Sequence, residues 1–462
     1  RPRSTVTAKE PLAAEDPRPG SGLPPRRRGF WARIADLAHH LAGEVPATPE
    51  PVPAQPPQVV LELLRSLGVA LTRAGEPADR VTQILDQVAR MYGATGVTFF
   101  IVPTGLFVRI DLGSSSQLDF KTGGSTPIRL DQVDALYRLL DDIRHSTVDV
   151  DTARRRLDEL LTAPPRFGPV VAILGSGILT LGLGLMLNPT VAAMPAFVLL
   201  GFLTGSMRWW ADKDPMLSLM LPVATAFVVT WVVFGWAAPL LDSPPLEIVI
   251  PALVTFLPGA ALTMGTVELS SGDMLAGSAR LVYGLARLLL LSFGIAMGAQ
   301  LAGIPTLSGE PARALGAWAP WVGVLVFGLG QYIASSAPRR TFGWLLVVLY
   351  VGYAAQFLAG RTLGSLGASF VAAAVVLPVC YAVQSRRSGP PVPVTFLPTF
   401  WLLVPGALGL QGVAQIIGAD QAAGLGDFLN ALMSVVAIAV GVLVGSGISE
   451  RLGRATSTWR GI

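Results

Sequence analysis

Two Pro-Gly pairs, Pro258-Gly259 and Pro405-Gly406, each stand near the middle of a long window that carries no charge. Proline removes a backbone donor and glycine weakens a helix, so both spans are expected to kink or break there. A broken span frees carbonyls that can face an ammonium group, and its half-helix N-terminus can face a carboxylate. Those two needs belong to a zwitterionic amino acid, which places a substrate site at Pro258, Gly259, Pro405 and Gly406, joined by Gln415. Ionisable residues cluster beside the same segments: Glu268, Asp273, Arg280, Arg287 and Asp420. Proton coupling needs a titrating group that can reach both sides of the membrane, and these five are the candidates for it. Arg280 and Arg287 are seven apart, hence on one helix face. An arginine at a helix centre costs roughly 2.5–3.5 kcal/mol on insertion scales, which facing the bundle interior and pairing with a carboxylate would offset. The plainer alternative is that both anchor the helix at the headgroups.

The elements that must position these residues are membrane helices. Of 462 residues, 52% are hydrophobic and 14% charged, against roughly 25% charged in a soluble chain. This excludes a disordered protein, a collagen-like fibre and a disulfide scaffold. From Gly168 onward ten charge-free windows follow one another: 168–187, 190–207, 216–241, 248–267, 288–309, 314–338, 341–360, 362–385, 388–419 and 428–449. About 20 apolar residues cross a bilayer core as a helix, so the pattern predicts an α-helical polytopic membrane protein with ten transmembrane helices. With the N-terminus inside, thirteen Arg and Lys fall on inner connections and only Arg313 and Arg361 on outer ones. That bias places both termini in the cytoplasm. The lone cysteine, Cys380, and three histidines, His39, His40 and His145, form no metal-ligand spacing, and no cofactor is expected. The net charge of +4 is almost all arginine and does not call for a nucleic-acid partner.

Shifting the membrane part by 147 residues superposes Pro251 on Pro398, Pro258-Gly259-Ala260 on Pro405-Gly406-Ala407, Gly265 on Gly412, Glu268 on Gln415, Asp273 on Asp420 and Gly277 on Gly424. Five spans per unit is an odd number, so the second unit enters the membrane upside down, as in inverted-repeat transporters. Repeat one covers residues 168–309, repeat two 314–449, and a cytosolic tail 450–462. Residues 1–57 form a Pro- and Arg-rich extension expected to be disordered. Within it Phe30, Ile34, Leu37 and Leu41 could make one face of an amphipathic helix. Residues 58–163 read as a small cytosolic α/β domain: a helix on Leu61, Leu64, Leu67 and Leu71, and a second on Val81, Ile84, Leu85 and Val88 opened by Pro77. Two strands around Pro103-Thr104-Gly105 follow, then a helix on Leu130, Val133, Leu136 and Leu140, and a last one over 149–161.

Phe256-Leu-Pro-Gly-Ala-Ala-Leu, followed by Ser271-Gly-Asp-Met-Leu-Ala-Gly-Ser-Ala-Arg-Leu, resembles the signature of the threonine/serine exporter family. The stretch Leu71-Thr-Arg-Ala-Gly-Glu-Pro-Ala-Asp-Arg-Val resembles the start of that family's N-terminal part, and the layout of a cytosolic domain and five plus five spans is similar over residues 58–449. The resemblance implies export of threonine, serine and like amino acids across a bacterial cytoplasmic membrane by proton antiport, with no catalytic residues. A homo-oligomer is left open. Two other readings remain: a membrane-anchored hydrolase working through residues 58–163, and a channel-like facilitator of small polar solutes. For the first, no nucleophile–base pair is found; Ser114, Ser115 and Ser116 read as a loop and His145 as a helix-surface residue. Walker A, Gly-x-Ser-x-Gly and His-Glu-x-x-His patterns are all missing from the sequence. Gly424-Leu-Gly-Asp427 resembles an intramembrane aspartyl protease signature, but no Tyr-Asp partner occurs.

Overall fold

The structure, a computed structural model, describes residues 57–94, 96–111, 116–123, 126–145, 148–187, 190–303, 315–386, 388–403 and 421–456. Helices α1 (Pro57–Arg73) and α2 (Ala78–Met91) are turned by Gly75, whose φ of 89° suits glycine alone. Their periodic apolar residues, Leu64, Leu67 and Leu71 with Val81, Ile84, Leu85 and Val88, are all buried. An antiparallel sheet follows in the order β1 (Val97–Val102), β2 (Gly105–Asp111), β3 (Ser116–Thr122). Leu106, Val108 and Ile110 point into the core, while Phe107 on the other face stacks on Phe120 with ring centroids 4.3 Å apart. Two strands were expected; the third begins at Ser116, inside the supposed serine loop. Ser-Gln-Leu-Asp-Phe-Lys-Thr is largely exposed, so it carries no buried alternation by which to be recognised. Helices α3 (Leu130–Arg144) and α4 (Val150–Thr162) close this part, α4 being capped where Thr152 N–H donates to the Asp149 carboxylate over 3.1 Å.

The rest is helical: α5 (Pro169–Leu187), α6 (Met194–Ala211), α7 (Pro215–Val232), a π-helical turn at Val233–Ala237, α8 (Ala238–Leu241) and α9 (Pro245–Leu253). After a 3-10 turn at Val254–Phe256 come α10 (Gly259–Ser271), α11 (Met274–Ala302), α12 (Ala319–Ala334), α13 (Phe342–Gln384), α14 (Val392–Leu403) and α15 (Gln421–Thr456). Among the described residues, five helical stretches are long and apolar enough to cross a membrane: α5, Met216–Leu241, α11, α13 and Leu429–Arg451 of α15. A sixth arises if α9 and α10, bent by 55° at their junction, count as one span. Large apolar side chains stand exposed on these helices, Leu219 at 78% and Leu289 at 68%, as lipid rather than water allows. The chain is a multi-pass membrane protein.

Element bounds depart from the charge-free windows in three places. Windows 341–360 and 362–385 fall within the single 43-residue run of α13, divided by Gly364 at φ 71° and ψ −174°. Helix α11 begins at Met274, fourteen positions before window 288–309, so Arg280 and Arg287 lie inside a helix. Its start is set by the left-handed Gly272 (φ 96°) and not by where charges stop. Helix α15 runs on to Thr456, past the point where a tail was expected.

Bare glycine backbones let the helices close up. A Cβ on Gly182 would lie 2.3 Å from the Phe327 nitrogen, and one on Gly330 would lie 2.2 Å from the Leu179 nitrogen, which binds α5 to α12. Along α7 and α11, Gly294 meets the Val223 carbonyl, the Ala226 methyl and the Phe227 nitrogen; along α13 and α15, Gly441 meets the Phe370 carbonyl, the Ala373 methyl and the Ala374 nitrogen. Gly182→Ala and Gly330→Ala each force backbone apart and should cost about 1–3 kcal/mol, read as a lower thermal midpoint in nanodiscs. Gly343→Ala, with nothing within 4 Å, should leave that midpoint unchanged or slightly raised.

Candidate functional site

Pro251 lies inside α9, the turn at Val254–Phe256 ends that helix, and Leu257 is extended at φ −64° and ψ 137°. Pro258 then opens α10 with no side-chain cap. The first N–H groups of α10, from Gly259 onward, therefore have neither an intrahelical acceptor nor a cap. Helices α10 and α11 form a tight hairpin through Gly272 and Asp273. A Cβ on Gly277 would sit 2.7 Å from both the Gly265 carbonyl and the Leu269 side chain, and one on Gly284 would sit 2.5 Å from Leu262. In that register Gly259 is level with Arg287, and Glu268 sits near Arg280.

Glu268 is the most confined charge of the site. Its side chain is fully buried, with the Arg280 Nε 3.0 Å from Oε2 and the Ala78 N–H donating to Oε1 over 3.2 Å. Ala78 is the first residue of α2, so the positive end of that helix faces the carboxylate. Arg280, whose side chain is 16% exposed, also donates to the Glu76 carbonyl at 3.4 Å. The Asp79 N–H faces Asp273 next door. The turn between α1 and α2 is thus held on the Gly272 end of the α10–α11 hairpin. Apolar contact widens the joint: Ala276, Ala337 and Val394 belong to the core built by α1–α4 and the sheet, and Leu397 lies under Gly75.

Burial pushes the Glu76 carboxyl above the ordinary carboxylate range, against the Arg80 charge and the hydrogen bond donated by the Tyr137 hydroxyl. Burial raises Asp273 too, with the Asp79 charge adding and the Asp79 N–H opposing.

Of the residues picked out by sequence, Glu268, Asp273 and Arg280 meet at the Gly272 end of the hairpin. Pro258 and Gly259 lie at the break, and Arg287 two turns from Arg280, its Nη1 3.0 Å from the Tyr283 hydroxyl. Pro405, Gly406, Gln415 and Asp420 fall outside the described residues. Sequence reasoning missed Glu76, Ala78 and Asp79 as site residues, although they lie in the Leu71–Val81 stretch quoted for its resemblance. It also missed Arg208, counted as a loop charge, which lies within α6 with its guanidinium 5.1 Å from the Phe256 ring centroid. Among the described residues no group of three His, Cys, Asp or Glu could hold a metal.

A multi-pass helical protein with a broken span and a buried ion pair beside it has the outline of a membrane transporter. The family model described as "Putative threonine/serine exporter" matches residues 62–302, more than half of the chain, and the chain belongs to that family. It is 23% identical to pheromone-regulated membrane protein 10 of Candida albicans over 83% of this chain and 36% of that protein. To the Saccharomyces cerevisiae protein of the same name it is 23% identical over 81% of this chain and 52% of the other. An uncharacterized Schizosaccharomyces pombe protein is 23% identical over 76% of this chain and 48% of its own length. The chain thus spans between a third and about half of these curated relatives. No solved structure matches it.

The raised carboxyls give the docked turn a pH dependence. A carboxyl whose value is raised by docking stabilises the docked form most when protonated, and that contribution fades as pH rises through its raised value. Hydrogen exchange at residues 75–80, corrected for intrinsic rate, should therefore slow on acidification into the carboxylate range. Glu76→Gln with Asp273→Asn should flatten this response.

Proposed function

We propose that the chain exports small hydroxy amino acids, threonine and serine, across a cytoplasmic membrane in exchange for protons. The observation that carries the reading is the broken span at Leu257-Pro258, with uncapped N–H groups at the start of α10 and, further along α10, Glu268 paired with Arg280 of α11. A zwitterion needs a positive and a negative partner near each other, and a coupled proton needs a carboxyl beside the path. Pro258 and Gly259 serve as substrate backbone, joined by Pro405, Gly406 and Gln415 from the second repeat. Glu268, Asp273, Arg280, Arg287 and Asp420 serve the proton. The family's description supports the substrate class.

Ten spans in two inverted repeats accommodate the helices found. Helix α9 begins at Pro245 and α14 at Val392, with Pro251 and Pro398 inside them; α11 begins at Met274 and α15 at Gln421, each pair 147 positions apart. The Gly294 and Gly441 contacts repeat at the same offset, partner by partner. In this scheme α13 supplies two spans, divided at Gly364, and the shorter α6, α12 and α14 cross with their neighbours. Residues 58–163 form a cytosolic module that gates the inner mouth, both termini are cytoplasmic, and the membrane is a bacterial cytoplasmic membrane. That last placement rests on the sequence resemblance, the relatives above being yeast proteins.

In proteoliposomes carrying an imposed proton gradient, labelled threonine should accumulate and be lost when the gradient is collapsed. Equilibration without accumulation would mark a facilitator, and chemical conversion of the solute an enzyme. Replacing Pro258-Gly259 by Ala-Ala should close the break and weaken threonine binding about tenfold or more; unchanged affinity would sink the site. Asp273→Asn should abolish gradient-driven accumulation while the protein remains folded.

A further inference from the structure

Arg287 is the charge that the hairpin leaves unexplained. It stands at the middle of the 29-residue α11, and its electrostatic neighbour from another helix is a second cation, Arg208. Its polar contact is the Tyr283 hydroxyl one turn back on its own helix, and its Nε is buried without a hydrogen-bond partner. Arg208, exposed near the end of α6, lays its guanidinium over Phe256, the last residue before the break. The hairpin register puts Arg287 level with Gly259, where the uncapped first turn of α10 begins. Thr263, one turn further on, is 1% exposed, and its hydroxyl has no partner. Helix side chains lean toward the N-terminus, so that hydroxyl points back toward the same turn. Two guanidiniums, a free helix N-terminus and an unmatched hydroxyl converge on one place; Asp212, one turn after Arg208, answers that arginine, whereas Arg287 faces Arg208 and the Tyr283 hydroxyl.

The fold does not need this arginine. Ser434, buried at 1%, stands 147 positions after Arg287, and Ala355 stands at that distance from Arg208. The helices of the second half pack with glycine contacts like those of the first and carry no guanidinium at those two places. Like charges held together in an apolar setting are stable when an anion comes between them, and guanidinium suits a carboxylate because it can donate two parallel hydrogen bonds.

We propose that Arg287 and Arg208, with the first turn of α10, form the seat for the carboxylate of the transported solute. This rests on the amino-acid reading above and refines it: one end of the solute is held on the first repeat at the break, leaving its ammonium to be met elsewhere. The seat recognises a small carboxylate, and it sets specificity against the same molecule without one.

The test uses the full chain in nanodiscs of phosphatidylcholine, titrated with L-threonine, with threoninol, which has a hydroxymethyl group for the carboxylate, and with lactate. Threonine should bind at least about 30-fold more tightly than threoninol. Arg287→Gln should remove most of that difference and leave threoninol's weak affinity unchanged. Arg287→Lys, which keeps the charge and guards against a folding artefact, should recover part of it, and Arg208→Gln should lose less. Threonine affinity untouched by Arg287→Gln would overturn the seat while the amino-acid reading stands. Lactate bound through Arg287 without threonine would keep the seat and remove the amino-acid reading. If wild type binds none of the three, both fall. If wild-type but not Arg287→Gln protein retains phosphatidylglycerol when mixed lipids are used, and solute affinity is indifferent to the substitution, the arginines hold headgroups and the proposal fails.

Discussion

The Glu268 carboxylate is the point on which the joint between the α/β part and the membrane helices turns. A buried carboxylate is tolerable when opposite charge and hydrogen-bond donors surround it, and here the opposite charge and the donor come from two distant stretches of chain. Arg280 reaches it from α11, and the first N–H of α2 reaches it from the α1–α2 turn. The Ala78 N–H bond to Glu268 and the Arg280 bond to the Glu76 carbonyl each tie the α/β part to the membrane helices. Together they make the burial of one charge conditional on the docking of some hundred residues. Taking the turn away would leave Glu268 with Arg280 alone and would open the apolar joint around Ala276, Ala337 and Val394. Docking and the protonation of nearby carboxyls are therefore linked in both directions.

A second constraint acts further out, where helices meet backbone to backbone. Lipid supplies little hydrophobic drive between helices, so close approach through small residues carries the association. Gly182 with Gly330, and Gly265 with Gly277, bring neighbouring helices near enough that a methyl group would strike main-chain atoms. The hairpin register that follows is what makes Arg280 reach Glu268 and puts Arg287 level with the break. Small residues at those positions set the geometry of the charged ones.

Much of this was legible in the chain. Long apolar windows report lipid burial directly, and the amphipathic runs of α1 to α4 report the small soluble core, because both depend on local composition. Pro258-Gly259 announced the break for the same reason: the loss of a backbone donor is a local event. What stayed hidden depends on partners far apart. Strand β3 has no buried alternation and is held by pairing with β2. The Glu76–Asp79 turn looks like an ordinary connection until it meets α10, about 190 residues away. Arg208 and Arg287 were read through charge counting, as topology marks and coupling candidates, since nothing in a sequence says that two arginines from different helices share one neighbourhood. The charge-free window starts fourteen residues after α11 does, although Arg280 and Arg287 were read as sharing one helix face, because a window counts charges and not helix caps.

If the membrane part is the pair of repeats proposed above, its two halves share helix starts and glycine contacts but differ in charge at matched positions. A repeated scaffold, with helices starting 147 positions apart, would provide two similar breaks and a way for one half to rock against the other. A symmetric site would hold a symmetric solute. An amino acid is polar along its length, so on the proposed function the two halves would have to differ where they touch it. At the positions 147 residues on, Arg287 of α11 and Arg208 of α6 are answered by the neutral Ser434 and Ala355, and Arg280 by the opposite charge, Asp427. Charge placed on one half costs the fold little, because the glycine contacts that hold the helices are left alone. Substrate polarity can then be matched by a few side chains on an unchanged frame, and the module docked at Glu268 sits at the end of that same charged half.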